Sequence, residues 1–277
     1  MRRALRFLPL VFLATFTGCE GPASVTYPGS PPSTPGTLVW SEEFTGPAGS
    51  LPSASHWRFD IGTDWGNAQL EYDTDRASNV SLDGNGNLAI TARRENYLGS
   101  AYTSGRISTR GLFTRTGGRF EARIKLPTGR GLWPAFWLLG ADYATNPWPA
   151  CGEIDIMEYR GQESTVVHGS LHGPGYSGGN ARSRSYVLPN GGRFDAGFHV
   201  FAIEWKTNQI TYLVDNVPYQ VLTPASLPSG SRWVFDHPFF ILLNLAVGGN
   251  YVGSPDGTTV FPQTLLVDWV RVYQVGS

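Results

Sequence analysis

Cysteine is nearly missing: only Cys19 and Cys151 stand among the 277 residues. Because Cys19 falls in a leader segment, Cys151 is alone, and an intramolecular disulfide framework is excluded. No histidine stands in a motif with Cys151, so it reads as a small buried hydrophobe rather than a nucleophile. Charge is sparse and balanced, with 16% charged residues and a formal net charge of −1. That excludes the basic footprint of a nucleic-acid binder and favours a neutral partner. No helical period persists beyond two turns, and "PASLPS" (224–229) is expected to form one turn of helix at most. There is no repeat of fixed period. A cofactor motif is also lacking, so no cofactor is expected for catalysis.

What is plentiful is glycine and proline, 34 and 20 residues, beside 41% hydrophobic and 13% aromatic content. This composition favours many short strands joined by tight turns, with enough apolar surface for one large all-β domain. Strands are expected at "LAITARR" (88–94), "GRFEARIKL" (118–126), "AFWLLG" (135–140), "EIDIMEY" (153–159) and "VVHGSLH" (166–172). Further strands are expected at "HVFAIEW" (199–205), "ITYLVD" (210–215), "FFILLNLAV" (239–247) and "LLVDWVRVY" (265–273). "DGNGN" (83–87) and "DN" (215–216) sit where hairpin turns belong. The expected architecture is a sandwich of two antiparallel sheets, with the continuously apolar strands between the layers.

The N-terminus reads differently. Met1, Arg2, Arg3 and Arg6 form a positive head, and the apolar run from Phe7 to Phe16 is too short to span a bilayer. Residues 1–19 are therefore expected to direct export. Phe16-Thr17-Gly18-Cys19 resembles a bacterial lipoprotein box, with Phe16 where leucine is usual. The resemblance implies lipidation of Cys19 and anchoring of an exported protein to a membrane surface. Residues 20–36, rich in Pro, Ser and Gly, are expected to be an extended tether, leaving 37–277 as the folded domain. A monomer is expected.

Chemistry concentrates in "CGEIDIMEYRG" (151–161), where Glu153, Asp155 and Glu158 interrupt an apolar, β-branched stretch. Strict alternation would put Glu153 and Asp155 on one face and send Glu158 into the core with Ile154 and Ile156. An unpaired carboxylate there would cost several kcal/mol. A β-bulge at or near Met157 resolves the conflict by returning Glu158 to the face of the other two acids. The two glutamates would then stand four strand steps, roughly 13 Å, apart at Cα. Their side chains could close to the ~5–5.5 Å carboxyl separation of a retaining glycosidase. Three readings remain open on these residues alone: paired-carboxylate catalysis, a Ca²⁺ or Mn²⁺ site, and a solvated acidic edge. They do not say which glutamate would be the nucleophile.

At these residues the sequence resembles glycoside hydrolase family 16, and within it the bacterial endo-1,3-β-glucanases or laminarinases. "GEIDIMEYRG" carries the E-x-D-x-x-E form. "LVWSEEF", "YTSGRI", "GLWPAFWLLG", "LHGPGYSGG", "FILLNLAVGGN" and "DWVRVY" follow the family's usual order across most of 38–273. The resemblance implies a jelly-roll β-sandwich of two curved antiparallel sheets with a concave substrate cleft. It also implies retaining hydrolysis of β-1,3-glucan, with Glu153 as nucleophile, Asp155 as its helper and Glu158 as acid/base. Asn67, Arg106, Trp133, Trp137, His172 and Asn244 would line the cleft, and Trp148 would be a loop platform beside it. A structural Ca²⁺ is implied at Glu43, Gly86 and Asp268, through backbone carbonyls of the first two and the carboxylate of the third. "WGNAQLEYDTD" (65–75) departs from the family's usual opening of the cleft, and Cys151 stands where lichenases carry Trp. Action on mixed 1,3-1,4-glucan, transglycosylation, and a non-catalytic glucan-binding module are the rival readings.

Overall fold

Alternation of side chains, interrupted at a few bulges, sets the architecture. The computed structural model describes residues 36–275; residues 1–19 with Cys19, and the tether up to residue 35, lie outside the described residues. The strands are β1 (Leu38–Glu42), β2 (Arg58–Phe59), β3 (Glu71–Asp73), β4 (Val80–Leu82), β5 (Leu88–Tyr97), β6 (Ser100–Ser104), β7 (Arg106–Ser108) and β8 (Gly118–Lys125). They continue with β9 (Leu132–Gly140), β10 (Glu153–Glu158), β11 (Val166–His172), β12 (Arg182–Val187), β13 (His199–Lys206), β14 (Gln209–Val214), β15 (Val217–Leu222), β16 (Phe239–Val247) and β17 (Gln263–Tyr273). All nine expected strands are present. "PASLPS" supplies one short 3-10 turn, Pro224–Ser226.

The strands form two sheets. A ten-stranded sheet runs β15-β14-β13-β8-β17-β5-β6-β3, with β1 added on β17 and β4 on β5. A seven-stranded sheet runs β12-β11-β10-β9-β16-β7-β2. Every pairing is antiparallel except β3 with β6. This is the expected jelly-roll sandwich. The β14–β15 hairpin closes through Asp215 and Asn216, both left-handed at φ 49° and 65°, which matches the twist of a two-residue turn.

Between the sheets lies one apolar core. In β16 the odd residues Phe239, Ile241, Leu243, Leu245 and Val247 enter it, whereas Phe240, Leu242, Asn244 and Ala246 face the other way, yet all nine are buried. Continuous burial thus has two sources: the odd residues meet the opposite sheet, while even ones are covered on the other face by side chains such as Tyr143 against Phe240 and Trp137 against Asn244. The same split runs through β9, where Leu132, Phe136 and Leu138 join the core and Trp133 and Trp137 face outward, half-buried. In β11 the sheets approach so closely at Gly169 that a Cβ there would lie 2.3 Å from the Tyr219 hydroxyl and 2.6 Å from the Tyr212 ring. The Tyr212 hydroxyl crosses the layer to donate to the Ser170 carbonyl at 2.7 Å.

Candidate active site

The bulge in β10 lies where the acid spacing required it. On β9, Glu153 faces Leu139, Asp155 faces Trp137, Met157 faces Phe136 and Glu158 faces Ala135, with the register shifting between Asp155 and Met157. On β11, Glu153 faces His172 and Glu158 faces His168. Five steps along β10 therefore match four on each neighbour. Ile154, Ile156 and Met157 all enter the core, and the three acids share the outer face.

Their partners come from the flanking strands. Trp133 Nε1 donates to Glu158 Oε1 at 3.0 Å, and the Ser170 hydroxyl reaches Glu158 Oε2 at 3.5 Å. His172 Nδ1 accepts from the Gly178 amide at 3.0 Å. In the neutral ring that leaves the proton on Nε2. This nitrogen stands 2.9 Å from Asp155 Oδ2, at ion-pair distance with poor hydrogen-bond alignment, and 3.7 Å from Glu153 Oε1. Glu153, Asp155 and His172 each bring a ligand atom within 4.8 Å of the others. Pairing of β10 with β11 thus brings beside the acids a histidine that stands fourteen or more residues away in the sequence.

Burial holds all three acids above the ordinary carboxylate range. For Glu153 the Asp155 charge adds to it, and the nearby His172 opposes it. For Asp155 the Glu158 charge adds, while for Glu158 the neighbours His172, Trp133 and Ser170 all oppose the rise. Three carboxyls crowded on one face cannot all ionise, so the patch retains protons at pH values where an isolated glutamate has lost its own.

The cleft extends from these acids across the sheet. Glu158, Ala135, Asn244 and Arg106 form one row over β10, β9, β16 and β7. Asn244, 6% exposed, accepts from Trp137 Nε1 at 2.8 Å. The Arg106 guanidinium lies 4.9 Å from the Trp137 ring and 4.5 Å from Trp65, and bonds Asp60 at 3.3 Å. Asn67 is exposed, and its carbonyl accepts from the Asn250 amide at 2.8 Å, tying two loops together at the rim. Trp148 is 47% exposed with its ring 6.1 Å from His172, so it stands at the opposite flank. All seven expected cleft residues therefore lie on this face or its rim. Sequence reasoning missed Trp65 and Tyr251, whose ring packs 4.9 Å from Trp133. Each is an aromatic residue next to or near an asparagine in a glycine-rich turn, a signal readable beside Asn67 and Asn250.

Cys151 is fully buried, and burial pushes its thiol up to about 11, as a structural cysteine requires. The expected calcium ligands do not present a free anionic donor. Pairing along β17 brings Glu43, Gly86 and Asp268 toward one another, where β1 ends and β5 begins beside β17. The Glu43 carboxylate, however, is held bidentate by Arg271 at 2.9 and 2.8 Å, and Asp268 is paired with Arg123. The resemblance draws on the backbone carbonyls at Glu43 and Gly86 and on the Asp268 carboxylate, and of these the one anionic donor, Asp268, is engaged by Arg123.

Comparison with known proteins agrees with this geometry. Residues 61–271 match the model of Glycosyl hydrolases family 16. A β-glucanase from Rhodothermus marinus is 42% identical over 247 residues, covering 86% of this chain and 85% of that protein. The laminarinase catalytic domain of Thermotoga maritima superposes with a TM-score of 0.82 at 44% identity, covering 87% of this chain and 99% of that one. The endo-β-1,3-glucanase of Pyrococcus furiosus gives 0.82 at 45% identity, covering 87% and 95%. The chain belongs to glycosyl hydrolase family 16.

Proposed function

We infer that this protein is a retaining endo-β-1,3-glucanase acting on laminarin-like polymers. The observation that carries the reading is the bulge between Asp155 and Met157, which sets Glu153 and Glu158 on one face of a cleft floored by aromatic side chains. Glu153 attacks the anomeric carbon while Glu158 gives its proton to the leaving oxygen. Glu158 then takes a proton from water, which displaces the glycosyl group from Glu153. Asp155, the most buried of the three at 3% exposure, shares a proton with Glu153, and the hydrogen bond between them favours that proton on Glu153 in the resting site. Transfer of that proton to Asp155 leaves Glu153 anionic and hydrogen-bonded for the attack. His172, with Nε2 3.7 Å from Glu153 Oε1, favours negative charge on Glu153. Sugar rings stack their C–H faces on Trp133 and Trp137, and their hydroxyls find partners at Asn244, His172 and Arg106.

Glu153→Gln and Glu158→Gln should each lower laminarin hydrolysis, the second by about a hundred- to ten-thousand-fold, while glucan binding measured by calorimetry survives. Near-normal turnover in either variant ends the assignment. Azide added to Glu158→Ala should yield a β-glycosyl azide, whereas an α-product would mean inversion. Reducing-sugar release from laminarin, lichenan and agarose in parallel separates β-1,3 action from the mixed-linkage rival. Export, with Cys19 lipidated and the domain held at a membrane surface, is part of the same proposal and rests on the leader motif alone.

A further inference from the structure

Two buried carboxyls take no part in the chemistry above. Glu71 and Asp73, on β3, are 1% and 2% exposed. Both lie in the segment that departs from the family's usual opening of the cleft. Glu71 Oε2 accepts from the Val247 amide at 2.8 Å, and the Leu70 amide donates to the Val247 carbonyl at 2.8 Å, so this segment is bound to the end of β16. Asp73 Oδ2 accepts from Trp65 Nε1 at 2.8 Å, while Asp73 Oδ1 is buried without a partner. Asp73 also brackets the turn below Trp65, exchanging two backbone bonds with Gly62 at 2.7 and 3.1 Å.

Above this pair the Arg106 guanidinium lies between two indoles, 4.5 Å from Trp65 and 4.9 Å from Trp137. Asp60 bonds Arg106 at 3.3 Å and Arg110 at 2.9 Å. The local charges are therefore Asp60, Glu71 and Asp73 against Arg106 and Arg110, one acid in excess. Burial pushes Glu71 up to about 7 and Asp73 higher than its ordinary value. One proton held by either carboxyl balances the cluster and removes the repulsion between them.

We propose that Asp73, backed by Glu71, is a positioning residue for substrate length: it fixes the Trp65 indole on the Arg106 guanidinium, so that Trp65, Arg106 and Trp137 form one rigid wall for a distant glucosyl ring. Arg106 lies three strands from Glu158 in the same row, about 14 Å at ordinary strand spacing. A sugar held there is remote from the bond being broken, and only a glucan long enough to reach it gains from the wall. Asp73 acts through Trp65 and does not touch the sugar. An unanchored indole would have to be ordered on binding, at a cost taken from the affinity for long chains.

The proposal rests on the glucanase reading, and the test separates the two. Steady-state kcat/KM is measured on a ladder of reduced laminari-oligosaccharides, from the shortest that the wild type cleaves to the longest that is soluble. For Trp65→Ala and Asp73→Ala, the ratio of kcat/KM on long to short substrates should fall about ten-fold, the scale of one lost aromatic contact, mainly through KM. Asp73→Asn keeps an acceptor for Trp65 Nε1 and should restore most of the ratio. Trp65→Phe keeps the ring, loses the bond, and should fall between. Equal losses on short and long substrates, or an unchanged ratio in Asp73→Ala and Trp65→Ala, overturn the proposal. Wild-type turnover of the same ladder reports on the glucanase reading independently.

Discussion

Trp133 shows how one side chain serves two ends of the reaction. Its ring is half-buried on the cleft face, and its Nε1 donates to Glu158 at 3.0 Å. That bond stabilises the ionised carboxylate and so opposes the upward push of burial on Glu158. Trp133→Phe keeps a stacking face but removes the donor, so Glu158 should hold its proton to higher pH. The alkaline limb of the kcat/KM profile, where the acid is lost, should move upward, and the acidic limb set by Glu153 should stay. A pH–rate series on laminarin checks this, with an alkaline limb unmoved or lowered as the contrary result. Asp155 behaves differently: deeply buried beside both glutamates, it should give a loss of turnover on Asp155→Asn with little change in glucan affinity, since its role is to place a proton rather than to hold sugar.

At the level of elements, β10 and β11 do the positioning. The bulge absorbs one residue so that Ile156 and Met157 both enter the core, and the acids line up on the far side. Removing Met157 should leave an ordinary alternating strand that still carries its glutamates on one face. Measurable laminarin hydrolysis should therefore persist in that deletion, although the lost buried methionine should lower stability by about 2–5 kcal/mol. Complete inactivity of a folded deletion protein would count against the bulge as the organising feature. On β11, Gly169 gives space that no other residue has: Gly169→Ala meets the Tyr219 hydroxyl and Tyr212 ring of the opposite sheet. Overpacking of this kind costs about 1–3 kcal/mol. Thermal melts should show the loss, with activity reduced because His172 rides on the same strand.

At the scale of the whole molecule, the ten-stranded sheet is tied by ion pairs of Glu43 with Arg271 and Asp268 with Arg123, so a chelator should leave the melting temperature unchanged. A clear drop in EDTA, reversed by added Ca²⁺, would mean that Arg123 gives way to an ion. The full chain expressed in a bacterium should incorporate labelled palmitate and fractionate with membranes, and Cys19→Ser should lose both properties. Nine strands, the sandwich class, the bulge and the three acids were legible in the chain itself, because alternation, turn residues and the cost of a buried charge are local rules. Short or polar strands such as β2, β3 and β12 left no such pattern, and the continuous apolar run of β16 concealed which of its faces was cleft. Only the tertiary structure brought His172 to Glu153 and Asp155, seated Arg106 between Trp65 and Trp137, and joined Glu71 and Asp73 in one buried pair. Contacts between strands distant in sequence are decided by sheet order and register, which depend on how the whole chain packs and not on any one segment.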